Sequence, residues 1–334
     1  MDWSKGQKII FRMMLMDPVT WRDTQEVEMI KGNMSRTNEN LRQSADITVS
    51  SFERECEKYI RVWLETEQDG AASRDALFTG IANAPDESIG ASTKEVNLNC
   101  YSVLKPAEGI PLQRGWYAPA GMPGADVIRN LLSVIKAPLD IAENSPVLQD
   151  YIIAEDDENH LTMTDKVLKA MGWRMRVTGL GRVAVGPPAE KPSATFGEDF
   201  DVIKAPVVPS DNWFGMPNVF QAISGGMSAI ARDDSEDSVL STVNRGREIW
   251  MTESDCLLGD GESLEQYSRR RLKEEQKKAG KMEYERRFHP DVLPSDLVQL
   301  QYPEFGLTGL VYVNSQDMEF NTELSISEEV SVWV

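Results

Sequence analysis

The chain has 334 residues and a mass of 37.5 kDa. At roughly 150 residues per domain that is about two domains, with cores large enough to need no disulfide or metal. Its 54 acidic and 35 basic side chains leave a net charge of −19, which excludes a general nucleic-acid binder with a basic footprint and docking on an anionic membrane surface.

The opening is rich in methionine. Met13, Met14 and Met16 read as adaptable packing in a core or an interface. No apolar run reaches the ~18 residues of a membrane span. Arg12 interrupts the early apolar stretch and no small-residue cleavage site follows it, so no secretory signal or membrane anchor is expected. Ala45, Ile47 and Val49 then alternate with polar residues, and Val96, Leu98 and Cys100 do the same. Ile60, Val62 and Leu64 alternate with Tyr59, Arg61 and Trp63. This period of two marks a sheet with one wet face. Gly32-Asn33, Gln68-Asp69-Gly70 and Pro85-Asp86-Glu87 are expected to separate the strands. Short strands with regular punctuation predict a β-barrel or sandwich over residues 1–105.

The character changes over residues 106–200, which read as an α/β domain with two helices and a hairpin. Val127, Ile128, Leu131, Leu132 and Ile135 recur at helical spacing between Pro123 and Pro138, predicting a helix over 124–137. A second helix is predicted over 162–171, with Gly172 suited to the left-handed position after it. A hairpin of 174–177 and 182–185 follows about the turn Gly179-Leu180-Gly181, ended by Gly186-Pro187-Pro188. A linker and a strand over 201–208 lead into the last third.

Residues 201–334 return to strands. Gly225-Gly226 between 219–224 and 227–233 predicts a hairpin with a two-residue turn. A long polar helix is predicted over 263–279, with Ser263 and Gln266 as a capping box and Gly280 as its stop. Strands follow near 297–300, 310–313 and 324–334. In the last, Leu324, Ile326, Val330, Val332 and Val334 share one face, and only Glu328 breaks the phase. The plan is mainly β: two barrel-like domains flank an α/β insert, with a long helix in the C-terminal part.

Chemical signatures are sparse. Gly179-Leu180-Gly181 with Gly186 evokes a dinucleotide loop, but a strand follows where a helix is needed, so the hairpin reading holds. Residues 255–262 contain Gly259-Asp260-Gly261-Glu262 without the alternating oxygens of a calcium loop, and read as a helix-capping turn. Glu155-Asp156-Asp157-Glu158-Asn159-His160 reads as a solvated flank favoured by a helix dipole, with loose metal binding as the alternative. His160 and His289 are the only histidines. Neither HExxH nor GxSxG occurs, so both read as structural or exposed. Cys56, Cys100 and Cys256 form no CxxC pair and read as reduced core thiols. No residue is assigned a catalytic, cofactor-binding or metal-ligating role.

Arg269, Arg270, Arg271, Lys273, Lys277 and Lys278 form a basic island, diluted by Glu274 and Glu275 to about net +4 over 269–278. Glu265 with Arg269 and Glu274 with Lys278 are favourable i,i+4 pairs. The island reads either as a solvated helix face or as a docking face for an acidic neighbour, including another copy of the chain.

Several phrases carry a family resemblance. They are Asn218-Val219-Phe220, the Gly225-Gly226 turn, 230–234 and Ser241-Thr242-Val243-Asn244-Arg245-Gly246-Arg247-Glu248. To these add the long helix from Ser263, 289–298, Val62 to Leu64 with Leu77-Phe78-Thr79-Gly80, and 98–104. Together they resemble the baseplate hub proteins of tailed bacteriophages. The resemblance covers most of the chain as an order of domains, and about a third of it as motifs. Ser295 departs from it, standing where the family usually has Gly in a Pro-Gly-Asp turn.

The resemblance implies a homotrimer. Each chain would give two tube-like barrels, 1–105 and 201–334, to a pseudo-sixfold ring, with 106–200 outside it. That ring would join the sixfold tail tube, or a distal tail protein, to a threefold central spike or fibre. It would be assembled in the bacterial host cytoplasm into the virion tail. No enzyme activity or cofactor is implied. An acidic lumen would let DNA slide through without specific binding. Two other classes compete: a tail-tip cell-wall hydrolase, which needs a cleft with a raised-pKa carboxylate, and a receptor- or carbohydrate-binding tail module. For the last, Trp116-Tyr117 and Trp213-Phe214 are the candidate aromatic clusters.

Overall fold

A computed structural model describes residues 5–52, 57–89, 94–197, 204–210, 213–256, 258, 259, 261–277, 281–303 and 307–332. Cys56, Asp260, Lys278, Gly280 and Val334 lie outside the described residues. The chain opens with β1 (Lys8–Asp17), β2 (Arg22–Val27), β3 (Met29–Thr37), β4 (Gln43–Val49), β5 (Lys58–Gln68), β6 (Ala71–Ile89) and β7 (Lys94–Ser102). They hydrogen-bond in the order β2-β1-β5-β6-β7-β4-β3, all antiparallel. The alternating residues face one apolar cluster, which includes Met13, Ile47, Ile60, Val62, Leu64 and Leu98.

Of the three expected breaks, one is a turn. Asp69 and Gly70 both take positive φ, 51° and 79°, as a two-residue hairpin requires. The other two lie inside strands. Gly32 is within β3 because the Phe320 ring packs on it; a Cβ there would sit 2.8 Å from Phe320 Cδ2. Pro85 is within β6, where the register jumps between Asn83↔Asn99 and Asp86↔Asn97. Proline has no N–H for the ladder, so the strand bulges past it.

The middle part comprises α1 (Lys105–Gly109), β8 (Tyr117–Ala118), α2 (Gly124–Leu131), β9 (Leu139–Ile141), β10 (Ile152–Ile153), α3 (His160–Met171), β11 (Arg174–Val177) and β12 (Val183–Gly186). The first predicted helix is shortened to α2 and one 3-10 turn, Leu132–Val134. Ile135 is already extended three residues ahead of Pro138, which disfavours helix before it. α3 starts earlier than predicted because Asn159, not a later residue, caps it. The Asn159 carboxamide accepts from the N–H of Leu161 and Thr162, at 3.0 and 2.9 Å. Gly172 ends it with φ +67°. The predicted hairpin pairs Arg174↔Gly186 through Val177↔Val183, and β12 adds β9 in parallel. Val127, Ile128, Leu131, Val167 and Val183 share one core.

The last part runs β13 (Ala194–Gly197), β14 (Lys204–Ser210), β15 (Val219–Ser224), β16 (Met227–Arg232), α4 (Thr242–Arg245), β17 (Trp250–Ser254), α5 (Leu264–Lys277), β18 (Lys281–Arg287), β19 (Leu297–Tyr302), β20 (Leu307–Glu319) and β21 (Ser325–Val332). β14, β18, β21 and β20 are sheet neighbours in that order, β19 pairs the first half of β20, and β13 joins β19 in parallel. The predicted hairpin at Gly225-Gly226 forms, with φ +56° and +78°, but in a separate sheet β16-β15-β17 under α5.

The mainly β plan is what the pairing gives, but the barrel-like ends are not closed. Among the described residues no sheet closes. The second half of β20, from Ser315 to Glu319, pairs with β3 instead, joining both ends of the chain in one open 13-stranded sheet. β20 has 13 residues, long enough to serve β19 with one half and β3 with the other. β2 and β3, at the ends of the first seven-strand run, are separated only by Glu28, so that run bends round its core without its ends pairing.

Candidate functional site

The family-like phrases build joints rather than a cleft. Asn218 is fully buried and ties its loop at three points: it donates to Leu240 O and Arg247 O, and accepts from Ile249 N–H at 2.7 Å. Ser241 caps α4, Gly246 follows it at φ +62°, and Asn244 donates to Glu236 O and Ser238 O. Arg245 and Arg247 both donate to Phe214 O, and the Arg247 guanidinium lies 4.2 Å from the Phe214 ring. Every polar residue named here satisfies main chain, so the phrase is a folded knot.

Leu77-Phe78-Thr79-Gly80 has the same character. Gly80 must lack a side chain, because a Cβ would lie 2.2 Å from Tyr101 O. Thr79 donates to Gly179 O at 2.6 Å and accepts from Arg61 Nε at 3.0 Å. Arg61 and Trp21 donate to Leu180 O, at 3.2 and 3.0 Å. The Gly179-Leu180-Gly181 turn is thus the plug by which the middle part docks on β6, and a Cβ at Gly179 would fall 1.7 Å from Ala76 O.

Ion pairs fix the other joints. Arg42 pairs with Asp165 of α3. Arg176 of β11 pairs with Asp296, which also accepts from Leu293 N–H at 3.0 Å. Burial pushes both aspartates above the usual carboxylate range, against the pull of their arginines. Ser295 takes φ +75°, the left-handed conformation that the usual glycine would supply, so the turn is kept with a serine in it.

The phase break at Glu328 is the most informative residue of the C-terminal end. Glu328 is fully buried and bound to Arg286 through both carboxylate oxygens. It also accepts from Tyr284 at 3.0 Å and Gln316 at 2.7 Å. Gln316 in turn accepts from Arg36 of β3 at 3.4 Å. Burial pushes the Arg36 guanidinium down to about 10. This chain of contacts crosses the β3–β20 pairing, so the joint between the two ends carries a buried charge network.

Of the four described side chains of the basic island, two are consumed within the chain. Arg270 pairs with Glu262 and Glu274; Arg271 pairs with Glu253, Glu274 and Glu275. Lys169 and Tyr267 also reach Glu253, at 2.6 and 2.8 Å. Burial alone would raise the Glu253 carboxyl, but these hydrogen bonds and the Arg271 charge pull it below its usual value. The expected Glu265–Arg269 pair is not made among the described residues; Arg269 and Lys273 stay exposed. The capping box is made, with Ser263 N–H donating to Gln266 at 2.8 Å and Gln266 N–H to Ser263 at 3.2 Å.

The acidic run before α3 is a salt-bridged flank. Lys166 pairs with Glu155 and Glu158, and His160 Nδ1 lies 2.8 Å from Leu131 O. Among the described residues no group of three or more His, Cys, Asp or Glu is placed to hold a metal. Cys100 and Cys256 are buried and free, and burial pushes both thiols up. His289 packs edge-on to Phe196, and burial lowers its imidazole. A groove of ≈ 260 Å³ at the joint holds Asp140, Arg174, Arg176 and Asp296. Asp296 is its raised carboxylate, but both its oxygens are engaged by the joint. Of the aromatic candidates, Trp116 packs on the middle core, while Tyr117 and Tyr151 stand exposed with ring centroids 5.9 Å apart. Phe214 is 79% exposed; the Trp213 side chain lies outside the described residues.

No family model and no curated protein sequence matches the chain. Solved structures match its fold along nearly its whole length. With the tail protein from Neisseria meningitidis MC58 the TM-score is 0.70 at 12% identity, covering 98% of this chain and 97% of that one. With the 43 kDa tail protein of prophage MuSo2 from Shewanella oneidensis it is 0.65 at 12% identity, covering 96% and 97%. With the prophage tail protein gp18 from Listeria monocytogenes EGD-e it is 0.58 at 11% identity, covering 96% and 94%. What this chain has in common with those tail proteins is the fold.

Proposed function

We propose that the chain is a structural component of a phage tail, and within it the hub: a homotrimer that joins the sixfold tail tube to a threefold central spike or fibre. The observation that carries this reading is the whole-chain fold match to the Neisseria meningitidis tail protein. Residues 1–105 and 201–334 are its ring-forming parts, 106–200 decorates the outside, and excess carboxylates face a lumen through which DNA slides. It is assembled in the host cytoplasm into the virion and carries no catalytic role. The joints support the reading, since an adaptor under load needs its parts held as one body.

Sedimentation over a concentration series tests it. A mass approaching three chains is expected. A strict monomer, or an even-numbered assembly, at the highest concentration overturns the ring. Reversing the charge of lumen carboxylates is expected to slow genome ejection with assembly intact. A second reading, a receptor- or carbohydrate-binding module, has one observation in its favour: the exposed Tyr117 and Tyr151 rings form a platform on which a sugar could stack.

A further inference from the structure

Edge strands that carry no protection are pairing sites, and proteins blunt them with charge, proline or a covering element. Several edges of this molecule are blunted in these ways. β2 carries Arg22, Asp23 and Glu26, β14 carries Pro206 and Pro209, and β11 carries Arg174 and Arg176. β17 abuts α3, through the Lys169–Glu253 pair. β16 has none of these. It reads Met-Ser-Ala-Ile-Ala-Arg, with no charge before its last residue and no proline, and it ends the sheet β16-β15-β17. Met227 and Ile230 are 69% and 54% exposed.

The direction of its free groups follows from the hairpin. A two-residue turn makes Ser224↔Met227 a hydrogen-bonded pair, and such pairs alternate along the ladder. The main-chain groups of Met227, Ala229 and Ala231 therefore face β15. Those of Ser228, Ile230 and Arg232 face outward, where no strand meets them among the described residues.

The two faces beside this edge differ. On one, the exposed Ile230 offers apolar surface. On the other lies α5, whose Ser268 touches Ala229 O and whose Gln276 reaches Asp233, while Tyr267 and Arg271 point to β17. Helical spacing then puts Arg269 on the flank above the open edge, with exposed Lys273 beside it. Among the described side chains, these are the cations of the basic island that the internal pairs leave over.

We propose that the outer edge of β16 is a strand-addition site for an extended segment of a partner protein that alternates apolar and acidic residues. Its main chain would pair with Ser228, Ile230 and Arg232. Its apolar side chains would cover Ile230, and its carboxylates would meet Arg269. The inference stands apart from the hub reading, since it rests on the edge alone.

Hydrogen exchange of the full chain tests it, with two capped peptides as probes: alternating valine and glutamate, and alternating valine and lysine. The glutamate peptide is expected to slow exchange at Ser228 and Ile230 by about tenfold or more, and the lysine peptide to leave it unchanged. Arg269→Glu is expected to reverse that preference. Ile230→Pro removes an outward N–H and no ladder bond, so it should abolish protection without lowering the melting temperature; Ile230→Lys serves if it does not fold. Three results overturn the proposal: no protection by either peptide at millimolar concentration, equal protection by both, or protection without peptide that grows with protein concentration, which would make the occupant a second copy.

Discussion

The two ends of the great sheet are built from similar strands and solved differently inside. At the first end, Met13, Ile47, Val62 and Leu98 meet in an apolar cluster whose buried charge, Arg36, has no carboxylate partner among the described residues and bonds to Leu77 O and Gln316. At the second, the cluster of Val311, Val313 and Val330 also holds Tyr284 and Phe196, which touch a buried carboxylate and guanidinium, Glu328 and Arg286, both at or near zero exposure. An apolar core accepts many packings of equal volume. The ionic core does not. Glu328 bonds to Tyr284 and Arg286 on β18 and to Gln316 on β20, the two neighbours of β21. A one-residue slip of β21 would turn the carboxylate to the opposite face and leave Arg286 buried alone. The second end therefore gets its register from charge, whereas the first gets it from pattern and turns.

Urea unfolding of Glu328→Leu breaks this comparison most directly. It leaves Arg286 unpaired, so a loss of about 3–5 kcal/mol is expected, most of it recovered by adding Arg286→Met. Leu98→Ala at the apolar end is expected to lose about 3 kcal/mol with nothing to recover it. If Glu328→Leu costs under about 1 kcal/mol, the pair behaves as a surface bridge and the contrast between the ends fails. Gly179→Ala comes next. Its Cβ has no room against Ala76 O, so the plug is pushed out, at about 2 kcal/mol, and Trp21 fluorescence should shift as its bond to Leu180 O is lost.

Acid should separate the α5 unit from the joints. Glu253, Glu262 and Glu274 are raised by burial but lowered further by their hydrogen bonds and arginines, to a net position below the ordinary 4.5. Their contribution is complete above that value and is lost as pH falls through the folded ones. Asp165 and Asp296 lie above the ordinary 3.8. Their contribution is complete below it and declines as pH rises through the folded values. Amide exchange in α5 should rise below about pH 4, while the joints hold; the reverse order would refute the assignment. The smallest effect is at Ser295. Glycine there removes left-handed strain at some entropic cost, so Ser295→Gly should stabilise by about 0.5 kcal/mol in thermal melts.

Local signals in the sequence were read well where the physics is local. Gly172, the Ser263–Gln266 box and Gly225-Gly226 each act within a few residues, and each feature formed. Misreadings arose where a distant residue decides. Gly32 looks like punctuation until Phe320 lies on it, and Pro85 looks like a break until β7 carries the ladder past it. The joining of β20 to β3 has no local mark, because alternation says that a strand has a buried face and never names its neighbour. Glu328 was visible as an anomaly in phase, but Arg286 was one of many arginines. The basic island looked like surface because its acceptors, Glu253 and Glu262, come from outside the run.

The β3–β20 pairing also sets a schedule. β3 is complete early in synthesis, yet the residues that cover its outer edge, Ser315 to Glu319, are made roughly 280 residues later. At roughly 5–20 residues per second that leaves a strand edge uncovered for about 15–60 s on every ribosome. A chain that stops short never covers it. Only a polypeptide that has been made past Glu319 can hide its own first sheet, so products terminated before Ser315 announce themselves by a sticky edge and are kept out of any assembly that selects for a sealed one.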